Sequence, residues 1–126
     1  MFDLQEDCSL EELQKAAITS VALDKLVENY QLGSKAYYYK GTCNKENKEA
    51  VSFIIRGNSL LTARGIAVAG EYKIKNVKAM KIMDSFGAGC SFPQYYAMDY
   101  LIDVLLMGHD GPAHIAIAEG KQKSAH

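Results

Sequence analysis

Apolar residues recur at helical spacing early in the chain. Ser9 and Glu12 form the S-x-x-E pattern of a capping box. Behind them Leu13, Ala16, Ala17, Leu23, Leu26, Val27 and Tyr30 keep a helical period, with Glu11, Gln14, Lys15, Lys25 and Glu28 mostly between them. The pattern predicts a helix over 10–31, with Gly33 just past its end. Residues 35–39 are few and aromatic-rich and read as a strand. Residues 41–48 are polar and read as an exposed loop, and 50–55 are apolar and fit either helix or strand. Residues 59–64 look helical and stop at Gly65, and 66–69 read as a short buried strand with Gly70 and Glu71 at its C-terminal end. Ile74, Val77, Met80 and Met83 mark a second amphipathic helix, with Lys73, Lys75, Lys78 and Lys81 toward water, ending before Gly87-Ala88-Gly89.

Beyond that point the pattern changes. Residues 101–107 are strand-like and apolar with one Asp inside, 114–118 alternate as another strand, and the Gly- and Pro-containing loop 108–113 joins them. Helices alternating with strands over 1–86, then strands alone over 90–120, predict an α/β chain with a boundary near residues 87–90.

Composition narrows the function classes. The chain has 126 residues, 48% of them hydrophobic and 23% charged, as expected of a soluble domain with a packed core. A formal charge of −1 gives no electrostatic case for nucleic acid or an anionic membrane. No apolar run approaches the ~18 residues of a membrane span. The acidic start MFDLQEDC lacks the basic and apolar regions of a signal peptide. Cys8, Cys43 and Cys90 are odd in number and widely spaced, so they read as free thiols of a reducing cytoplasm rather than a zinc or dithiol site.

The candidate chemistry lies at the ends of apolar stretches. Glu71 follows Ala69-Gly70, His109 follows Met107-Gly108, and Gln94 lies between them in Ser91-Phe92-Pro93-Gln94. Taken as one site, a carboxylate, an imidazole and an amide suit a divalent metal such as Mn²⁺. Such an ion can polarise a carbonyl and its neighbouring hydroxyl. Each residue also has a plainer reading. Glu71 suits the N-terminal end of the following helix, His109 a hydrogen-bonded loop, and His114 a structural or solvent-facing strand position. The tyrosines at 37–39 read as core and sheet surface, whereas Tyr95 and Tyr96 adjoin the candidate site. Gly87-Ala88-Gly89 lacks the strand-to-helix context of a phosphate loop.

Several motifs occur in a specific order: Thr19-Ser20-Val21-Ala22-Leu23-Asp24-Lys25, Gly57-Asn58-Ser59-Leu60-Leu61-Thr62, Ala69-Gly70-Glu71, Met83-Asp84-Ser85-Phe86-Gly87-Ala88-Gly89 and Met107-Gly108-His109-Asp110-Gly111-Pro112. Over about residues 10–120 the chain resembles the L-arabinose isomerase / L-fucose isomerase family. The resemblance covers an interior piece of that family's longer chain. It implies a Rossmann-like (flavodoxin-like) partial central domain over 1–87, followed over 88–126 by the start of a β-rich C-terminal domain. It also implies aldose–ketose interconversion of a monosaccharide through an enediol, with Mn²⁺, in a cytoplasmic homo-oligomer. The resemblance gives Glu71 the position of the first family glutamate, which binds the metal and serves as acid or base, and His109 that of one metal-binding histidine. The second glutamate is replaced by Gln94, whose amide oxygen can bind a metal but cannot exchange a proton near neutral pH. The family's second histidine would fall beyond His126, and Cys90 stands where a glycine is expected. The isolated chain is therefore expected to be an inactive relative of a ketol isomerase, or a non-catalytic module that binds a sugar or a partner. A small independent flavodoxin-like binding domain fits less well, because residues 1–87 supply too few strands for an open sheet. An unfinished β part is expected to leave apolar surface exposed.

Overall fold

The structure is a computed structural model and describes residues 2–3, 8–38, 50–109, 111–118 and 122–123. The polar loop expected over 41–48, and Cys43 within it, lie outside the described residues.

Helix α1 spans Leu10–Asn29 and begins as the sequence predicts. The Glu12 N–H donates to Ser9 Oγ, and the Glu12 carboxylate accepts from both the Ser9 N–H and its hydroxyl. The other end departs from expectation. The helix stops at Tyr30, and Gln31, not Gly33, takes the left-handed position at φ 50°. The Gln31 and Leu32 N–H groups donate back to the carbonyls of Glu28 and Val27, closing a Schellman motif.

Strand β1 (Phe2–Asp3) pairs with a second two-residue strand near the C-terminus, numbered β6 (Gln122–Lys123). Strand β2 (Ser34–Ala36) leads to helix α2 (Ile54–Ala63), which returns the chain to strand β3 (Ala67–Ala69). Residues 50–52 are also helical, so the stretch that fits either state resolves as helix. The β2 and β3 strands run parallel in the register Ser34↔Ala67, Lys35↔Val68, Ala36↔Ala69. Helix α3 (Ile74–Ser85) follows. Both α2 and α3 end in Schellman motifs with glycine at the left-handed position, Gly65 at φ +75° and Gly87 at φ +72°, where a side chain would be strained.

Burial explains the layering. Successive residues of a strand face opposite ways. Ala67 and Ala69 pack with Val77 and Met80 of α3, joined by Ala36, Cys90 and Phe92. Val68 packs on the other side with Leu23 and Val27 of α1 and Leu61 of α2. The parallel pair is thus covered on both faces by helices, which is the α/β arrangement. Among the described residues this parallel sheet has two strands, so the coarse class stands, while the finer Rossmann-like expectation concerns more sheet than is present.

Strands β4 (Gln94–Asp99) and β5 (Val104–Gly108) form an antiparallel hairpin. The expected strand over 101–107 is shortened at its start because 100–103 form the turn. The strand expected over 114–118 is absent. Ile115–Ile117 is a short 3₁₀ turn. The alternation of Ile and Ala mimics a strand, but α2 claims the backbone groups that a neighbouring strand would have taken. The Ala113 N–H donates to Ser59 Oγ at 2.9 Å, and the Ile115 N–H donates to Thr62 Oγ1 at 3.0 Å. The change of character near residue 87 is real in composition. Phe92 and Cys90 nevertheless join the core of β3 and α3, and residues 113–115 bond to α2.

Candidate functional site

The parallel strands end side by side. From Ala36 the chain continues as Tyr37-Tyr38, and from Ala69 as Gly70-Glu71-Tyr72. The Tyr37 N–H donates to the Ala69 carbonyl and the Tyr72 N–H to the Tyr37 carbonyl, so the pairing extends past the strands. Glu71 and Tyr72 both have positive φ, 54° and 53°. The turn is closed by the Lys73 N–H on the Gly70 carbonyl at 3.0 Å. Two consecutive non-glycine residues in this region carry roughly 1–2 kcal/mol of strain each. Such strain persists only where the surroundings over-determine it, and it concentrates at functional sites. Here the surroundings are the backbone bonds above and the stacking of Tyr72 on Tyr38, with ring centroids 5.2 Å apart and planes 15° from parallel. Behind the turn the Tyr37 ring lies close against Gly70. The result is a half-buried carboxylate and an aromatic pair at the C-terminal ends of parallel strands, the usual ligand-binding position of an open α/β sheet.

The other two predicted residues lie on the hairpin. Gln94 opens β4 and is paired in register with Gly108, so His109 follows immediately across the hairpin. The His109 ring stands edge-on to Phe92 at 5.2 Å between centroids, tying the hairpin's base to the core. His109 also lines an open cleft of about 270 Å³ with Ser91, Ala113, His114 and Ile117. Gln94 and His109 are thus neighbours in backbone register, and the described lining of the cleft includes His109 but neither Gln94 nor Glu71.

Mn²⁺ was implied by the resemblance. Among the described residues no three His, Cys, Asp or Glu side chains gather as a metal would require, and Glu71 and His109 lie on different features. No chemical step is routed through the ion here.

The sequence reading missed a line of buried polar groups on α2. Asn58, Ser59 and Thr62 are all buried. Ser59 Oγ donates to the Ile55 carbonyl and accepts from Ala113 N–H. Thr62 Oγ1 accepts from Ile115 N–H and lies 2.6 Å from the Ser59 carbonyl and 3.1 Å from that of Ala113, between which its one proton is shared. These bonds hold the segment that carries His114, which is itself buried with an Nδ1 that finds no partner among the described residues. Asn58 accepts from Lys35 Nζ at 3.0 Å, and its own Nδ2 is left without a partner among them. Burial pulls the Lys35 ammonium down to about 8. The spacing Asn58-Ser59-x-x-Thr62 inside an apolar helix was the available signal, since polar residues on a buried helix face need partners.

The fold and site define an α/β protein with a strained acidic turn at the end of a parallel strand pair. No family model, no curated protein and no solved structure matches the chain.

Proposed function

We propose that the chain is a monosaccharide-binding α/β module related to the sugar ketol isomerases, without turnover of its own. The observation that carries the reading is the strained Gly70-Glu71-Tyr72 turn beside the Tyr38–Tyr72 stack. A carboxylate accepts hydrogen bonds from adjacent hydroxyls, and an aromatic face covers the apolar side of a sugar ring. The motif order described above supplies the sugar class. One feature supports binding without chemistry: Gln94 cannot act as the second acid or base. Cytoplasmic residence follows from the same resemblance and the cysteine usage. No helix among the described residues is long and apolar enough to cross a membrane.

The test is an NMR titration with L-arabinose and with L-fucose. Shifts should centre on residues 37–38 and 70–72, and Glu71→Gln should weaken binding at least tenfold. Equal shifts in wild type and Glu71→Gln, or none in wild type, would refute the site. Ketose formation by the purified chain in the presence of Mn²⁺ would refute the absence of turnover and restore the isomerase reading.

A further inference from the structure

Lys35 is a charge in an awkward place. It sits mid-strand in β2, paired in register with Val68, and its side chain is half-buried. Its Nζ donates to Asn58 Oδ1 of α2 at 3.0 Å and lies 5.7 Å from the centroid of the Tyr37 ring. An ammonium drawn out of water is normally paired with a carboxylate. Among the described residues no carboxylate pairs with Lys35, and Asp24 and Glu28 of the adjoining α1 are engaged by Arg64. Its hydrogen-bond partner is a neutral amide.

That amide is itself incomplete. Asn58 is fully buried, and its Nδ2 has no partner among the described residues. An orphaned buried donor is rare in folded chains. Asn58 thus shows Lys35 an acceptor already in use and, beside it on the same planar group, an unused donor. The group that completes the pair keeps an N–H on Nζ and adds an acceptor oxygen on the same side. A carbamate has this edge. Its N–H and its syn oxygen point the same way and meet the Asn58 carbonyl and N–H as two parallel hydrogen bonds. An acyl group on Nζ does not fit, because a trans amide turns its N–H and C=O in opposite directions. The reagent that makes a carbamate, CO₂, is small and uncharged, and suits an amine shielded by packed side chains. The amine suits the reagent. Burial holds Lys35 at a pKa of about 8 against 10.5 for an ordinary lysine. At pH 8 roughly half of it is neutral, against about one in three hundred of an ordinary lysine, and only the neutral amine is a nucleophile.

We propose that Lys35 is a carbon dioxide acceptor, carboxylated on Nζ to a carbamate that Asn58 clasps through both ends of its amide. The Nζ lone pair forms a bond to the CO₂ carbon, and one C=O pair moves onto oxygen. The nitrogen then releases one proton to water. RNH₂ and CO₂ give RNHCOO⁻ and H⁺, with nothing oxidised or reduced. The second carbamate oxygen is left to water at the half-buried edge of β2. The modification needs nothing from the Glu71 turn, so it stands or falls apart from sugar binding.

The test is ¹³C NMR of the full chain in ¹³C-bicarbonate near pH 8, with its lysines labelled with ¹⁵N. Wild type should show a carbamate carbon coupled to a lysine nitrogen, and Lys35→Arg should lose it. The α-amino group also reacts, but its nitrogen carries no label. Occupancy at Lys35 should exceed that of the exposed Lys73, Lys75 and Lys78 by roughly tenfold or more. Asn58→Asp keeps the acceptor, removes the donor and gives the ammonium a carboxylate partner. It should cut the signal at least tenfold with circular dichroism unchanged. No lysine carbamate in wild type would overturn the proposal. So would a signal that survives Lys35→Arg, or occupancy at Lys35 no higher than at the exposed lysines. An undiminished signal in folded Asn58→Asp would overturn the clasp. Should that variant not fold, the comparison of Lys35 with the exposed lysines still decides.

Discussion

Thr62→Val is the sharpest probe of how α2 positions the His114 segment. Valine keeps the volume and branching of threonine, so packing around the buried position is preserved, but the hydroxyl is lost. That hydroxyl is the acceptor for the Ile115 N–H at 3.0 Å and the donor shared between the Ser59 and Ala113 carbonyls. Losing the acceptor leaves an amide without its partner, worth about 1–3 kcal/mol when the group stays shielded from water. The donated bond adds little, because the helix carbonyl of Ser59 and the Ala113 carbonyl each have a second lone pair and local alternatives. At 1.4 kcal/mol per factor of ten, the Ile115 amide should lose about one to two orders of magnitude of hydrogen-exchange protection. The Ala113 amide bonds to Ser59 Oγ instead and should lose much less. Ser59→Ala should invert that pattern, and Thr62→Ser should spare Ile115. Native-state hydrogen exchange followed by NMR reads all four proteins. Unchanged Ile115 protection in Thr62→Val, or equal losses at 113 and 115 in both Thr62→Val and Ser59→Ala, would refute the claim that these two hydroxyls hold the turn separately.

Two further outcomes follow from backbone and charge. Gln31→Gly should stabilise the chain by about 0.5–1 kcal/mol in urea unfolding, because glycine relieves the left-handed strain at φ 50° that ends α1. Lys35 has a pKa of about 8 when folded against 10.5 as a free side chain, so between these values the unfolded chain binds more protons and stability rises with pH, with the full burial penalty present below pH 8. Lys35→Met should remove that rise, seen as a flat difference in urea midpoint where the wild type climbs.

The legibility of the fold divides along physical lines. Local devices were readable. The Ser9–Glu12 box and the glycines at 65 and 87 act within one turn of the chain, so sequence alone carries their signal. Gln31 was not readable, because a left-handed glutamine has no signature and Gly33 stood two residues later as a better candidate. The buried strand at 67–69 was readable from its apolar run, and its two-sided burial followed once the helices were placed. The 3₁₀ turn at 115–117 was not, because its hydrogen bonds come from residues more than fifty positions earlier. At the site, Glu71 at a strand end was legible from Ala69-Gly70-Glu71, but its strained backbone was not. The placing of Gln94 opposite Gly108, next to His109, depends on hairpin register, which the bulge at Tyr96 shifts. Lys35 read only as the start of a short strand, and the folded structure reveals that its ammonium donates to the buried Asn58.

The acidic turn and the hairpin are built on different supports, and this separates their possible roles. The Gly70–Lys73 turn grows directly from β3, whose residues are locked into both apolar clusters. A side chain held this way pre-organises a ligand group, since little ordering remains to be done on binding. The hairpin is joined to the body mainly at its base, where Phe92 enters the core and His109 packs against it. Rigid support thus favours recognition at Glu71 over recognition on the hairpin.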